Sequence, residues 1–307
     1  MPRPIRMLNS VEIFFLTVRC FQRRFLLRPS DETNEVLGGV LARAVRLYGA
    51  ELFGFSVMSN HIHLVIRAPR GNLPRFMQYL LTNISKKIGK LVGWRGSFWE
   101  RRYSAEPILD ETALLERMRY VLSHGVKEGL VRRCRDWPGL SSLPLMLDGR
   151  AKSFRWFNWT RRASGNSRRV ARDLLDERWA EPEQIRLTPL PNPALREPGG
   201  LRRFLKRAVT AIEQQASRQY GTFLGRSAVL RQRPHAKPGP AQRRSRPLCH
   251  TSIPELLKAF RERYRSFAEA YHRASVRWRR GDAGADFPEP AIKPFVWPEP
   301  GAIPLAA

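Results

Sequence analysis

Two histidines separated by one residue are the feature of this sequence with the clearest chemical potential. His61 and His63 flank Ile62 within an apolar run. Successive side chains of a β-strand point to opposite faces, so the two imidazoles would share one face, about 7 Å apart along the strand. At that separation both can bind one divalent cation. Two imidazoles leave the coordination shell incomplete, so a third ligand must come from another element.

A second pair of reactive side chains lies about 60 residues further along the chain. Tyr120 and His124 are four residues apart, which places them on one face if the segment is helical. A helix packed across the histidine-bearing face of the sheet would bring a phenol and a third imidazole to the cation. A phenol beside a divalent cation would place a potential nucleophile and a Lewis acid at one site.

The surrounding hydrophobic pattern predicts the sheet and the helix that this site needs. Strands are predicted at 11–20, 51–58, 61–67 and 98–109, and helices at about 30–48, 71–92 and 111–128. The resulting order, β-α-β-β-α-β-α, indicates an α+β fold. We expect a ferredoxin-like βαββαβ sandwich with an added helix that carries Tyr120.

Three motifs, in this order, resemble those of the single-tyrosine HUH transposases and, more narrowly, of the REP-associated tyrosine transposases of bacteria. Residues 58–64 are similar to the family's Met-Pro-Asn-His-x-His-Leu, and residues 96–103 to its Gly-x-x-Trp-Gln-x-x-Tyr/Phe. Residues 119–131 are similar to Arg-Tyr-Ile-x-x-Asn-Pro-Val-x-x-Gly-Leu-Val. The resemblance covers roughly residues 8–145.

The resemblance implies a metal-dependent endonuclease and strand transferase that acts on single-stranded or hairpin DNA at chromosomal repeats. Tyr120 would form a 5′-phosphotyrosine intermediate and leave a free 3′-hydroxyl. His61, His63 and His124 would hold the divalent cation, with Mg²⁺ or Mn²⁺ expected. Tyr103 is the rival nucleophile, because it also lies in a matching motif. The expected assembly is a monomer or a homodimer.

Three residues depart from the family pattern at the expected site. His124 stands where the family has Asn or Gln, and Gly125 and Ser59 stand where it has Pro. A site of three imidazoles is softer and favours Mn²⁺, Co²⁺ or Zn²⁺ over Mg²⁺. These departures leave open an altered metal preference or a decayed copy that binds DNA without cutting it. Two alternatives to a transposase also stay open. One is a non-catalytic DNA- or RNA-binding protein on the same fold, and the other is a different HUH nuclease, such as a replication initiator or a relaxase.

The charge balance independently indicates a nucleic-acid partner. Lys and Arg number 55 against 27 Asp and Glu, a net charge of +28, and a polyanion is the usual partner of so basic a chain. The candidate DNA contacts are Lys86, Lys87, Trp99, Arg101, Arg102 and Tyr103. No apolar run approaches the about 18 residues of a membrane span, and three scattered cysteines indicate a reducing compartment. We therefore expect a cytoplasmic, nucleoid-associated protein with no membrane partner.

The composition changes after the last motif, which predicts two domains. Residues 1–148 would form the transposase-like domain and residues 149–307 a basic, mostly helical extension with Pro- and Arg-rich linkers, one of them at 182–200. Helices are predicted near 170–179, 201–220 and 254–280. The last of these has an aromatic stripe on one side and arginines on the remainder, which would suit the backbone of a DNA hairpin stem.

Overall fold

A computed structural model of the chain describes residues 5–158, 161, 177–239, 247–282 and 284–291. The chain forms two compact units. The larger is Ser10–Ser252, and the smaller combines Met1–Asn9 with Ile253–Ala307. The larger unit therefore extends past the boundary predicted at residue 148, because the elements that follow this residue pack onto the helices that precede it.

A four-stranded antiparallel sheet forms the centre of the larger unit. Its strands are β1 (Ile13–Arg19), β2 (Glu51–Met58), β3 (His61–Arg67) and β4 (Ser104–Ile108). They lie in the order β2-β3-β1-β4, with β1 and β3 in the middle and every pairing antiparallel. This is the order of a ferredoxin-like sandwich, and the predicted fold is confirmed. Only β4 differs much from its predicted bounds, since it begins six residues later than expected.

Three helices complete the predicted βαββαβα order. They are α1 (Asp31–Tyr48), α2 (Leu73–Leu91) and α3 (Glu111–Lys127). The side chain of Ser30 accepts a hydrogen bond from the Thr33 amide at the start of α1, and Asp110 does the same for Ala113 at the start of α3. These caps satisfy amide groups that have no partner within the helix.

Helix α3 covers the face of the sheet that carries the histidine pair. Its buried side chains Met118, Val121 and Leu122 share one apolar core with Phe15 of β1 and Val65 of β3. Those two strand residues are direct partners in the antiparallel register and point to the same face. Burial of this apolar stripe holds α3 against the sheet.

Further elements after α3 remain in the larger unit. They are α4 (Leu143–Asp148), a hairpin of β5 (Lys152–Phe157) and β6 (Ala180–Ile185), α5 (Pro193–Arg196), α6 (Gly200–Gln219) and α7 (Arg226–Leu230). The hairpin packs on α1, and α6 packs on α3. The linker predicted at 182–200 was wrong, because β6 occupies its start and α5 lies within it. The helix predicted near 170–179 lies mostly outside the described residues, and only its end, Glu177–Trp179, is seen, as a 3₁₀ turn.

The smaller unit is built on one long helix, α8 (Pro254–Arg279), close to the predicted 254–280. Phe260 and Phe267 of its aromatic stripe are buried, and Tyr264 donates a hydrogen bond to the carbonyl of Ile5. The prediction at 201–220 is likewise confirmed by α6. Among the described helices, none combines the length and the apolar character that crossing a bilayer requires.

A candidate metal and nucleophile site

Strand β3 presents the two histidines of the motif on one buried face. In the register with β1, His61 lies opposite Arg19 and His63 lies opposite Thr17. Both imidazoles are buried, and their ring centroids are 4.8 Å apart. The shared face expected from the alternation of the strand is therefore observed.

Helix α3 brings the third imidazole and the phenol to this face. The Nε2 atoms of His61 and His124 are 2.8 Å apart, and one ligand nitrogen from each of the three histidines lies within 4.8 Å of the others. The ring centroid of Tyr120 is 5.3 Å from that of His63 and 4.9 Å from that of His124. Four side chains from two distant segments thus converge within a single chain.

Hydrogen bonds fix which nitrogen of His61 faces the cluster. The side-chain amide of Asn60 donates to the carbonyl of Arg23 at 3.0 Å, so its Oδ1 faces His61 Nδ1 at 2.6 Å. An amide oxygen can only accept, so Nδ1 carries the proton and the lone pair of Nε2 points into the cluster. Hydrogen bonding of the remote nitrogen to an oxygen is typical of metal-binding histidines.

His63 has an equivalent support from β1. Its Nδ1 lies 2.9 Å from the hydroxyl of Thr17, while its Nε2 is buried without a hydrogen-bond partner in the described part of the chain. A buried polar atom without a partner is costly in a folded protein and requires an explanation. A cation held between the three rings would provide the partner that this nitrogen lacks.

The electrostatics of the three imidazoles suit a cation as well. Burial is the main cause that lowers the pKa of each ring, and it lowers the pKa of His124 to about 3. The neighbouring imidazole of His124 lowers the pKa of His61 and His63 further. The rings are therefore neutral near pH 7, which is the form that binds metals. This donor set fits a divalent ion that accepts nitrogen ligands.

Tyr120 is half-buried, and its surroundings keep its phenol protonated at neutral pH. Burial raises its pKa, and the carboxylate of Glu128 adds to this effect, while Arg19 and Arg117 act in the opposite direction. The Arg117 guanidinium carbon and the Lys127 ammonium nitrogen lie 5.4 and 4.6 Å from the centroid of its ring. Nucleophilic attack by this residue would therefore require removal of its proton.

The rival nucleophile has a different environment. Tyr103 is buried and lies just before β4, so its side chain is not presented to solvent. Tyr120, in contrast, is partly exposed and has ring contacts with two of the three histidines. The arrangement of the described residues favours Tyr120.

The predicted DNA contacts divide into exposed and buried side chains. Lys86, Arg101 and Arg102 are exposed, and Trp99 is half-buried with its indole N–H bonded to the Leu81 carbonyl at 3.0 Å. The burial of Tyr103 also leaves it unable to stack on a base in this conformation. Glu100, next to Trp99, donates its amide to the carbonyl of Arg19, so this segment runs beside the end of β1 that borders the histidines.

Lys87 was wrongly predicted as a phosphate contact. Its side chain is only 1% exposed, and its ammonium group donates to the carbonyl of Phe157 at 2.7 Å. Burial lowers its pKa to about 8, with a smaller contribution from Arg43. The helical pattern of α2 could not reveal this, because the β5 carbonyl that binds Lys87 is distant in sequence.

Several side chains around the site were missed by sequence reasoning. Thr17 and Arg19 could not be found, because only the register of β1 with β3 places them beside the histidines. Arg117 carried a signal, since it precedes Tyr120 by three residues on the same helix. Asn60 carried one too, as the residue next to His61 in the first motif.

Comparison with known proteins adds an independent observation. Residues 14–124 match the family model described as "Transposase IS200 like". A protein of Haemophilus influenzae named as a REP-associated tyrosine transposase is 26% identical over 137 residues, which cover 41% of this chain and 77% of that protein. Residues 14–124, which match the family model, contain all three histidines and Tyr120.

Two solved structures are also similar in part. One, described as a REP-associated tyrosine transposase bound to a REP hairpin, has a TM-score of 0.43 at 18% identity and covers 48% of this chain and 86% of its own. The other, a transposase from Deinococcus radiodurans, has a TM-score of 0.29 at 21% identity and covers 39% and 95%. Both TM-scores are too low to establish a shared overall fold.

The antiparallel sheet, the histidine pair and the tyrosine on an added helix form the arrangement that the motif resemblance to single-tyrosine transposases implies. The family model described as "Transposase IS200 like" matches these same residues, 14–124, which make up a little over a third of the chain. The resemblance of the three motifs to REP-associated tyrosine transposases agrees with the relative from Haemophilus influenzae.

Proposed function

We propose that the protein is a metal-dependent endonuclease and strand transferase for single-stranded DNA, and that it acts on hairpin or repeat sequences through a 5′-phosphotyrosine intermediate. The observation that carries this proposal is the convergence of Tyr120 with three neutral imidazoles in one chain. A substrate of chromosomal repeats would place the reaction at the nucleoid.

The proposed reaction is a transesterification at a phosphodiester. The phenol oxygen of Tyr120 attacks the phosphorus, the bond from phosphorus to the 3′-oxygen breaks, and the proton lost by the phenol is balanced by one gained at the 3′-oxygen. The 5′-phosphate stays on the tyrosine and a 3′-hydroxyl is released. Because the covalent bond conserves the energy of the cleaved linkage, a later attack by a 3′-hydroxyl can rejoin strands without a nucleotide cofactor.

His61, His63 and His124 would hold the divalent cation in this proposal. When bound, the cation supplies Lewis-acid stabilisation of a non-bridging phosphate oxygen. Asn60 and Thr17 would keep the ligand rings oriented through the remote nitrogens. Three nitrogen ligands favour Mn²⁺ over Mg²⁺.

The substrate class rests on charge and on the relatives. The net charge of +28 suits a phosphate backbone, and the relative from Haemophilus influenzae is named for its association with REP sequences. The exposed Arg101 and Arg102, in the segment beside the site, are the first candidates for contacts to the strand. Trp99 is a candidate for stacking on an unpaired base.

A labelled-strand experiment tests the proposal. Repeat hairpins of the host with single-stranded flanks are incubated with the full chain and Mn²⁺, and a protein–DNA band that resists denaturant is scored. Only DNA labelled at its 3′ end should become attached to protein, because the tyrosine retains the 5′-phosphate. DNA labelled at its 5′ end should be released as a shorter strand.

Two variants identify the nucleophile in the same assay. Tyr120→Phe should abolish the adduct and retain Mn²⁺ binding, whereas Tyr103→Phe should still form it. An adduct in the Tyr120 variant would assign the reaction to another residue. Tight binding of hairpins with no adduct under Mg²⁺, Mn²⁺, Co²⁺ or Zn²⁺ would favour the alternative of a non-catalytic binding protein.

A further inference from the structure

Arg117 lies on the face of α3 that carries Tyr120 and His124. Arg117 precedes Tyr120 by three residues and His124 by seven, which is the spacing of one helical face. Its guanidinium carbon is 5.4 Å from the ring centroid of Tyr120 and 5.8 Å from that of Phe15. Phe15 in turn stacks on His63 with ring centroids 5.0 Å apart.

Arg117 is half-buried and has no acidic partner within the described residues. No ion pair or hydrogen bond joins it to the part of the chain that the structure describes, and its Nε is buried without a hydrogen-bond partner. Arg43 shows the contrasting case, because Glu181 and Glu183 both accept hydrogen bonds from its guanidinium. A partly buried guanidinium without an anion is costly, which indicates that an anion binds there in the working protein.

Besides the carboxylate of Glu128, two further cations lie around Tyr120. Arg19 lies opposite His61 on β1, and the ammonium of Lys127 is 4.6 Å from the ring of Tyr120. The guanidinium is planar, permanently charged and matched in geometry to phosphate oxygens.

We propose that Arg117 is a catalytic residue that binds the scissile phosphate. Its guanidinium donates hydrogen bonds to a non-bridging oxygen and stabilises the negative charge that develops there when Tyr120 attacks the phosphorus. Arg117 itself gains and loses no covalent bond or proton. The inference rests on the proposed function, since it assigns a role within the same reaction.

The rate of adduct formation in a single turnover tests this role. Arg117→Gln should reduce the rate about 100-fold or more on the 3′-labelled hairpin with Mn²⁺, which is the usual effect of removing one donor to a developing oxyanion. Arg119→Gln is the matched control. It removes the same charge from the same helix, but the Arg119 guanidinium lies over Phe204 of α6, so its rate should stay within about threefold of wild type.

A second pair of variants separates phosphate binding from simple packing against Tyr120. Arg117→Lys retains the charge and Arg117→Met retains much of the apolar stem. Phosphate binding predicts that the Lys variant is at least about tenfold faster than the Met variant. Packing alone predicts equal rates. Undiminished Mn²⁺ binding and an unchanged melting temperature verify that each variant is folded.

The outcomes distinguish the two proposals. The role of Arg117 would be overturned if Arg117→Gln formed the adduct as fast as wild type. It would also be overturned if the Lys and Met variants reacted at equal rates. Either result would leave the proposed function standing. Absence of any adduct in wild type would refute the proposed function, and with it the role of Arg117.

Discussion

Positively charged side chains have hydrogen-bond partners in one region of the larger unit, whereas Arg117, in another, lacks one within the described part of the chain. Beside α1, the guanidinium groups of Arg43 and Arg46 both bond to Glu183, which is 4% exposed, and the ammonium of Lys87 bonds to a carbonyl of β5. Beside α3, Arg117 has no such partner among the described residues and lies next to Tyr120.

The difference separates charges that stabilise the fold from charges that are available to a ligand. Removing one partner of a buried ion pair leaves the other charge desolvated, so the paired cations near α1 should matter for folding. Arg117 beside α3 has a buried donor without a partner among the described residues, so it should matter for binding an anion and little for folding.

The largest effect is expected on the α3 side, from His63→Ala. The variant removes a metal ligand and its supporting bond to Thr17, so the rate of adduct formation should fall about 1000-fold or more. Mn²⁺ binding should fall with it in calorimetric titration. His235→Ala, which removes an exposed imidazole outside the cluster, is the control and should retain both properties. A His63 variant that forms the adduct at the normal rate would disprove the metal site.

On the α1 side, Glu183→Gln should destabilise the fold without affecting chemistry. Arg43 and Arg46 lose their shared carboxylate, and we expect the free energy of unfolding to fall by about 2–3 kcal/mol. The loss is smaller than for a fully buried pair because the side chain of Arg46 is more than half exposed. Urea denaturation measures the change. Glu51→Gln breaks the more exposed pair with Arg67 and should cost less than about 1 kcal/mol. Equal losses in the two variants would contradict the contrast.

Thr17→Val removes the hydroxyl proposed to orient the His63 ring and leaves His63 itself unchanged. His63 would lose the hydroxyl 2.9 Å from its Nδ1, and the affinity for Mn²⁺ should fall about tenfold. Ser30→Ala is the control, because it removes the α1 cap and should cost about 1 kcal/mol of stability with no change in affinity. An unchanged affinity in the Thr17 variant would argue against the orienting role.

The smallest effect is expected from the titration of Lys87. Its pKa is lowered to about 8 in the folded protein, below the reference value of about 10.4 for an unfolded chain. Between these values the unfolded state binds more protons, so this group makes stability rise with pH, by at most about 1.4 kcal/mol per unit. Lys87→Met should remove that rise in a comparison of urea midpoints at pH 8 and pH 9.5. If the urea midpoint of the wild type changed with pH by the same amount as that of the variant, the lowered pKa of Lys87 would be contradicted.

Elements with a strong local pattern were predictable, and elements that depend on a distant partner were not. β2 and β3 have the predicted bounds because their apolar runs end at a tight turn around Asn60. β4 was predicted to start at residue 98, yet Trp99 makes only an isolated bridge with Cys20 and the ladder starts at Ser104. Strand propensity cannot reveal how far a neighbouring strand offers partners.

The segment 182–200 includes part of a strand that the sequence did not predict. Its prolines indicated a linker, but β6 forms there because β5 provides hydrogen bonds and α1 provides a surface. Lys87 was likewise predicted to lie on the exposed side of α2, while the hairpin covers it. In both cases contacts distant in sequence outweighed the local preference.

Which side chains share a face follows from the local periodicity of each segment. The alternation of a strand aligned His61 with His63, and the turn of a helix aligned Tyr120 with His124, because both periods are properties of the backbone alone. The packing of α3 on that face of the sheet, by which the two pairs meet, depends instead on contacts between segments distant in sequence. The tertiary structure also places Thr17 and Arg19 beside the histidines, since strand register depends on packing over the whole sheet.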